Sequence, residues 1–247
     1  MTNVLLLSSI NGISSINWMT VWLMMELNTL AMCFIMTKDY NKMKAKKIDT
    51  LIYFLTQMMA SSIIIILVSS QNMSSSNELL MMLCLITKMG TWPLHLWYIK
   101  ILSCMELKMK SMLLMMTWQK VLPATMISLM EMSNTTKMIT ILLCLTSLIT
   151  PLTKVKYMKP SMIMTLSSLN NNSWIIMASL ISMETLLYLI MMYTMVLICS
   201  MKQLDNNPKS LNKTMITMMS YLSLFANLSG MPPFTMFWVK LMMMKKF

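Results

Sequence analysis

The chain has 247 residues, of which 57% are hydrophobic and only 11% charged, and its mean hydropathy is +0.64. A soluble domain carries about 25% charged residues, so this composition excludes a soluble domain. It predicts a single transmembrane domain over residues 1–247. The formal charge is +12 and every basic residue is a lysine, but the excess lies in loops between apolar runs, so we expect a lipid bilayer and no nucleic acid as partner.

A helix that crosses a membrane needs about 20 mostly apolar residues. The apolar runs extend over residues 4–16, 19–36, 50–68, 79–102, 109–130, 138–152, 161–181, 185–201, 214–228 and 232–244. The first is short and is interrupted by polar residues, and several have indistinct ends. The pattern predicts an all-α, polytopic bundle of about ten helices.

Lysines occur in alternate loops between these runs. The loop at 37–49 carries five lysines and the next, 69–78, carries none, and the alternation continues along the chain. Positive charge collects on one side of a membrane, so the alternation supports a multi-pass protein. The N-terminus lacks the basic start of a cleaved signal, and we expect it on the basic side.

Lys120 lies in the middle of the run at 109–130, and Pro123 follows it. A central lysine costs about 2.5–3.5 kcal/mol on membrane-insertion scales, so such groups usually face partners or a water-filled cavity. Proline removes a backbone donor and clashes with the carbonyl four residues earlier. We therefore expect the helix to kink or break beside Lys120, near residues 120–123, and the combination indicates an ion path.

Glu26 is an acid within the second apolar run. Opposite charges hold each other ionised more strongly as the dielectric falls, and we take Lys120 as its partner. One reading is a functional pair on a proton path. The other is a static ion pair that joins two helices, although buried pairs often add little net stability.

A second interruption is expected from Pro232 to Lys240. Lys240 is either a second site on the path or a side chain that reaches the headgroups near the C-terminus. Lys88 and His95 flank a further break. His95 is either a hydrogen-bonded packing residue or a proton relay, and the ordinary pKa of histidine suits both roles.

A polar stripe lies within the run at 161–181. Its members are Thr165, Ser167, Ser168, Asn170, Asn171, Asn172 and Ser173. Such side chains either support a chain of water molecules or bond neighbouring helices to one another. We include Ser167 and Ser168 among the weaker candidates for the path.

The five cysteines are scattered singly and there is one histidine. Zinc and iron–sulfur sites need clustered thiolates or imidazoles, so we expect no metal and no cofactor in this chain. The residues alone thus indicate a proton or cation pathway without a redox centre.

Several short motifs resemble those of one family. They lie at 22–30, 53–57, 60–61, 88–97, 117–123 and 230–240. The sequence Thr117-Trp118-Gln119-Lys120 followed by proline is specific, whereas the later pattern of glycine, two prolines and phenylalanine is shared more widely. In order and spacing the chain resembles subunit 2 of mitochondrial NADH:ubiquinone oxidoreductase, respiratory complex I, and the match is nearly end to end.

This resemblance implies an antiporter-like, proton-translocating subunit of the membrane arm, in the mitochondrial inner membrane. The family pairs the glutamate matching Glu26 with the lysine matching Lys120, and places the lysine matching Lys240 at the far end of a hydrophilic axis. FMN, iron–sulfur clusters and ubiquinone are then expected in other subunits. The expected partners are other subunits of the membrane arm.

The chain departs from the family at three places. The family's bridging lysine aligns near Met162, and the nearest bases are Lys156 and Lys159. Ile52 stands where a lysine is common. The chain also ends soon after Lys240, where family members continue.

Two other functions remain open at this stage. One is a structural subunit that is kept for assembly of the complex after conduction has been lost. The other is a free-standing cation/proton antiporter.

Overall fold

The computed structural model describes residues 2–15, 17–39, 46–70, 74–91, 95–104, 109–130, 132–149, 160–206, 223, 226–232 and 234–246. Every extended regular element in these residues is an α-helix. The eleven helices are α1 (Thr2–Ser14), α2 (Trp18–Asp39), α3 (Lys46–Ser69), α4 (Ser75–Met89), α5 (Leu96–Cys104), α6 (Met109–Met116), α7 (Trp118–Leu129), α8 (Asn134–Ile149), α9 (Pro160–Ile181), α10 (Met183–Asn206) and α11 (Thr235–Lys246).

Two of the ten predicted runs each contain two helices. The run at 79–102 divides into α4 and α5, because Gly90 ends α4 in the left-handed conformation, with φ of 70°. Glycine adopts this conformation without steric cost. The run at 109–130 divides into α6 and α7. Most of the run at 214–228 lies outside the described residues.

The residue that leaves helical geometry beside Lys120 is Thr117, three residues before it. This residue has φ of −120° and ψ of −80°, which is not helical. Its hydroxyl donates to the carbonyl of Leu113 at 2.7 Å. Pro123 lies inside α7, and it has no N–H for the Gln119 carbonyl four residues earlier. The chain therefore leaves helical geometry at Thr117, and Pro123 lies within the helix that follows.

Near the second expected interruption, residues 226–229 are helical and Gly230 turns the chain with φ of 79°. Helix α11 then begins at Thr235. Pro232 lies in this turn, and Pro233 is outside the described residues. The described part of this segment is thus a turn between two helical pieces.

Helix α7 is the centre of the described bundle. It packs against α1, α4 and α9, and every residue from Gln119 to Ile127 is buried. Gly12 of α1 lies against Leu122, where a larger side chain would collide with it. A helix buried on all sides belongs to a protein interior, so Lys120 and Gln119 are held inside the bundle.

The outer helices are apolar on the face that they expose. Within the described residues, three helical segments are long and apolar enough to cross a membrane: Trp18–Thr37, Ile48–Ser69 and Met183–Ser200. On α2, Leu23, Leu27, Leu30 and Phe34 form an exposed stripe at helical spacing. Apolar patches of this extent mark contact with lipid or with other subunits. These are the helices of a membrane protein.

Candidate functional site

Glu26 forms an ion pair with Lys88. The distance from Lys88 Nζ to Glu26 Oε1 is 3.2 Å, and the two side chains are 2% and 13% exposed. The prediction that Lys120 is the partner of Glu26 was therefore wrong. Helix α3 packs against both α2 and α4, and Gln57 of α3 donates to the carbonyl of Lys88 at 3.3 Å. This packing brings the end of α4, and not the start of α7, to the carboxylate.

Lys120 is held by neutral groups. Its Nζ donates to the hydroxyl of Tyr98 at 2.7 Å and to Oδ1 of Asn172 at 2.6 Å. The residue is 2% exposed. Among the described residues, no carboxylate lies within ion-pair distance of it. A buried ammonium with only neutral partners is poorly compensated, so small changes in nearby charge strongly affect its protonation.

Tyr98 of α5 lies beside Lys120 and against Gly90, the residue that ends α4. A Cβ added at Gly90 would lie 2.9 Å from Cβ of Tyr98, so the turn approaches the ring closely. His95 directly precedes α5, and its carbonyl accepts hydrogen bonds from the backbone nitrogens of Tyr98 and Ile99. The imidazole of His95 is half-buried. His95 thus helps to present Tyr98 through its backbone.

One face of α9 lines the site. Ser168, Asn171 and Asn172 lie at positions i, i+3 and i+4 and are fully buried. Ser168 Oγ accepts from the hydroxyl of Tyr98 at 3.0 Å. Ser167 is half-buried, and the side chain of Thr165 lies outside the described part. The predicted polar stripe therefore reaches Lys120 through Ser168 and Asn172.

The two asparagines also connect α9 to the end of α4 and to the helical piece before Gly230. Asn172 Nδ2 donates to the carbonyl of Met89 at 3.5 Å, next to Lys88. Asn171 Nδ2 donates to the carbonyl of Leu228 at 3.1 Å. Leu228 precedes Ser229, whose carbonyl binds Lys240. Helix α9 thus joins the surroundings of the three buried lysines.

Lys240 turns inward to the Gly230 turn. Its Nζ donates to the carbonyl of Ser229 at 2.9 Å and lies 5.4 Å from the centre of the Trp174 ring. A Cβ at Gly230 would lie 2.9 Å from the same nitrogen. Lys240 is 6% exposed, whereas Lys245 and Lys246 are exposed. Its side chain therefore lies in the protein and does not reach outward.

Several polar residues of the site were missed at the sequence level: Tyr53, Gln57, Tyr98 and Gln119. Gln119 Nε2 donates to the hydroxyl of Tyr53. Each of them is a polar side chain inside an apolar run, which is the sequence feature that could have identified them. Gln119 directly precedes Lys120. Lys156 and Lys159, the candidates for the bridging lysine, lie outside the described residues. In the described part of the chain, no three His, Cys, Asp or Glu residues are grouped closely enough to hold a metal ion.

No protein-family model matches the chain. It is 28% identical to NADH-ubiquinone oxidoreductase chain 2 of Artemia franciscana over 249 residues, which cover 96% of this chain and 76% of the relative. It is 30% identical to the chain 2 protein of Aquarana catesbeiana over 259 residues, which cover 93% and 71% of the two chains. The chain belongs to the family of NADH-ubiquinone oxidoreductase chain 2.

Proposed function

We propose that the chain is a proton-translocating subunit in the membrane arm of mitochondrial NADH:ubiquinone oxidoreductase. It forms a single multi-pass domain of antiporter-like architecture in the inner membrane. Its family and its apolar helices support this assignment. The positions of two buried lysines also support it, because Lys120 lies near the non-helical residue Thr117 and Lys240 contacts the turn at Gly230.

The proposed path passes through three buried lysines in the order Lys88, Lys120 and Lys240. Asn172 links the first two, since it binds Lys120 and the carbonyl beside Lys88. Asn171 and Trp174 link the region of Lys120 to that of Lys240. Amide side chains do not themselves relay protons, so their role is to orient water and to hold the lysines.

Movement of Glu26 drives the transfer. While Glu26 contacts Lys88 at 3.2 Å, the carboxylate compensates the charge of that lysine. When a rearrangement elsewhere in the assembly withdraws Glu26, the positive charge of Lys88 is uncompensated and repels a proton on Lys120. Coulomb interactions are strong in a buried site, so the proton leaves Lys120 toward Lys240.

In this proposal the chain handles protons only. FMN, the iron–sulfur clusters and ubiquinone belong to other subunits of the assembly. Those subunits and membrane lipids are its partners. The exposed apolar stripes on the outer helices are surfaces of the kind that such contacts require.

The neutral surroundings of the buried Lys120, beside an intact ion pair, are the observation that carries the proposal. The test is Lys120→Met in the assembled complex, reconstituted in liposomes. We expect normal assembly and a fall in protons moved per NADH oxidised. Lys245→Met, which removes an exposed charge, is the control and should pump normally.

The alternatives make different predictions in the same experiment. A purely structural subunit would leave the pumping ratio unchanged in Lys120→Met, and this result would contradict the proposal. A free-standing antiporter would not co-purify with NADH:ubiquinone oxidoreductase activity. Co-purification of the chain with that activity therefore comes first.

A further inference from the structure

A small cavity lies between helices α2, α3, α4 and α7. Its volume is about 10 Å³, and Asn28, Gln57, Lys88 and Gln119 are among the residues that line it. A polar cavity of about 10–15 Å³ holds one water molecule if the water finds two to four hydrogen-bond partners. The cavity therefore just reaches the size that one water molecule needs, and its lining includes polar side chains that could bind it.

Asn28 carries an unsatisfied acceptor at this cavity. Its Oδ1 is buried and accepts no hydrogen bond from any described group of the protein, and the residue is 2% exposed. Buried polar atoms are nearly always hydrogen-bonded, and a cavity water is the usual partner where the protein offers none. Asn28 thus indicates a ligand that donates a hydrogen bond.

Two other groups at the cavity could form hydrogen bonds with a bound molecule. Lys88 has three N–H donors, of which Glu26 receives one. Pro123 lines the same cavity and cannot donate to the carbonyl of Gln119. The residues that line the cavity therefore include a charged donor, a side-chain acceptor and Gln119, whose carbonyl lacks its helical donor.

We propose that this cavity binds one water molecule, which accepts from Lys88 and donates to Asn28 Oδ1 and to the carbonyl of Gln119. The water gives Lys88 a second partner beside Glu26 and connects it to the residue that precedes Lys120. It lowers the cost of separating the ion pair, since the ammonium keeps a hydrogen bond when the carboxylate leaves. Asn28 is thus a positioning residue for the pair.

The role in pumping rests on the function proposed above, whereas the binding of the water does not. The first test is a cryo-EM map of the complete complex at a resolution that shows buried water. We expect one peak within about 2.7–3.2 Å of both Lys88 Nζ and Asn28 Oδ1. A cavity without density, in a map where other buried waters are visible, would overturn the proposal.

The second test uses Asn28→Leu, which keeps the size of the side chain and removes its acceptor. We expect loss of the peak and fewer protons moved per NADH oxidised. Met32→Leu is the control, because Met32 is buried one turn further along α2 and does not line the cavity. It should retain the peak and normal pumping. A peak that persists in Asn28→Leu contradicts the assignment of Asn28.

Pro123→Ala is a second variant in case Asn28→Leu does not assemble. It restores the N–H that bonds the carbonyl of Gln119, so the water loses an acceptor and the peak should weaken or move. The two proposals fail separately. If the water behaves as expected but Lys120→Met pumps normally, the water site stands and the proposed function fails. If the cavity is dry and Lys120→Met pumps poorly, the proposed function stands and the water site fails.

Discussion

Oδ1 of Asn172 lies 2.6 Å from the ammonium nitrogen of Lys120, so a neutral amide on α9 holds the charge at the start of α7. The other partner of that ammonium is the hydroxyl of Tyr98, which is also neutral. Because neither partner compensates the charge, the side chain at position 172 decides how firmly the lysine keeps its proton. Substitutions there separate stability from transport.

Asn172→Leu should destabilise the subunit more than Asn172→Asp does, although aspartate also loses the amide hydrogen bond to the carbonyl of Met89. Leucine removes one of the two acceptors of a buried ammonium, and a hydrogen bond to a charged group contributes about 1.5–3 kcal/mol. Aspartate keeps the acceptor and adds a counter-charge, so the complex should assemble while Lys120 stays protonated and pumping falls. Thermal melting and proton uptake of the purified complex measure the two effects. Normal pumping in Asn172→Asp would contradict this account.

Glu26→Gln and Lys88→Met should be non-additive. Removing one partner of a buried ion pair costs about 3–5 kcal/mol, because the other charge is left without compensation. The double variant leaves no unpaired charge and should be more stable than Lys88 facing a glutamine. A double-mutant cycle on the melting of the complex measures this coupling. Additive effects would show that the two side chains act independently.

Gly230→Ala should impair the site of Lys240. The backbone has φ of 79° at this position, and the new Cβ would lie 2.9 Å from Lys240 Nζ. The left-handed conformation costs about 1–2 kcal/mol for a residue with a Cβ, and the lysine must leave the carbonyl of Ser229. We expect a lower pumping ratio. In a Lys240→Met background, Gly230→Ala should cause no further loss of pumping.

Trp174 should support Lys240 through its ring. A cation 5.4 Å from the ring centre gains about 0.5–2 kcal/mol from cation–π attraction. Trp174→Phe keeps an aromatic face and should retain part of the pumping, whereas Trp174→Leu should lose more. Proton uptake per NADH oxidised is the measurement. Equal losses in the two variants would mean that the volume of the side chain matters and its π face does not.

The all-helical fold, the membrane character and the burial of Lys120 follow from the sequence, because each is visible in a local window of apolar residues. The sequence left Lys240 open between a place on the path and the headgroups, and the structure buries it. The partner of Glu26 does not follow from the sequence. Lys88 and Lys120 both lie in apolar runs, and which of them meets the carboxylate depends on how α3 packs between α2 and α4. That packing joins segments that are distant along the chain, so local periodicity carries no information about it.

The remaining site residues divide in the same way. The polar stripe on α9, which contains Asn172, can be identified in the sequence because its polar residues lie within an apolar run. Tyr98 was missed because an aromatic residue in a membrane helix usually packs against lipid or other apolar side chains. Its role depends on where α5 lies relative to Lys120, and Gly90, with φ of 70°, ends α4 against Tyr98. Glycine marks a turn in the sequence but does not give its direction.

The break at Thr117 also has an electrical consequence. It places Lys120 in the first turn of α7, whereas Lys88 lies in the last turn of α4. A helix carries partial positive charge at its N-terminus and partial negative charge at its C-terminus, and each end affects a nearby charge by about 0.3–1 kcal/mol. An unbroken helix would hold Lys120 mid-length, where these end charges are not felt. The two helix ends therefore favour positive charge on Lys88 and oppose it on Lys120, so in the proposed path the field of the backbone keeps the charge on Lys88 and helps Lys120 to lose its proton.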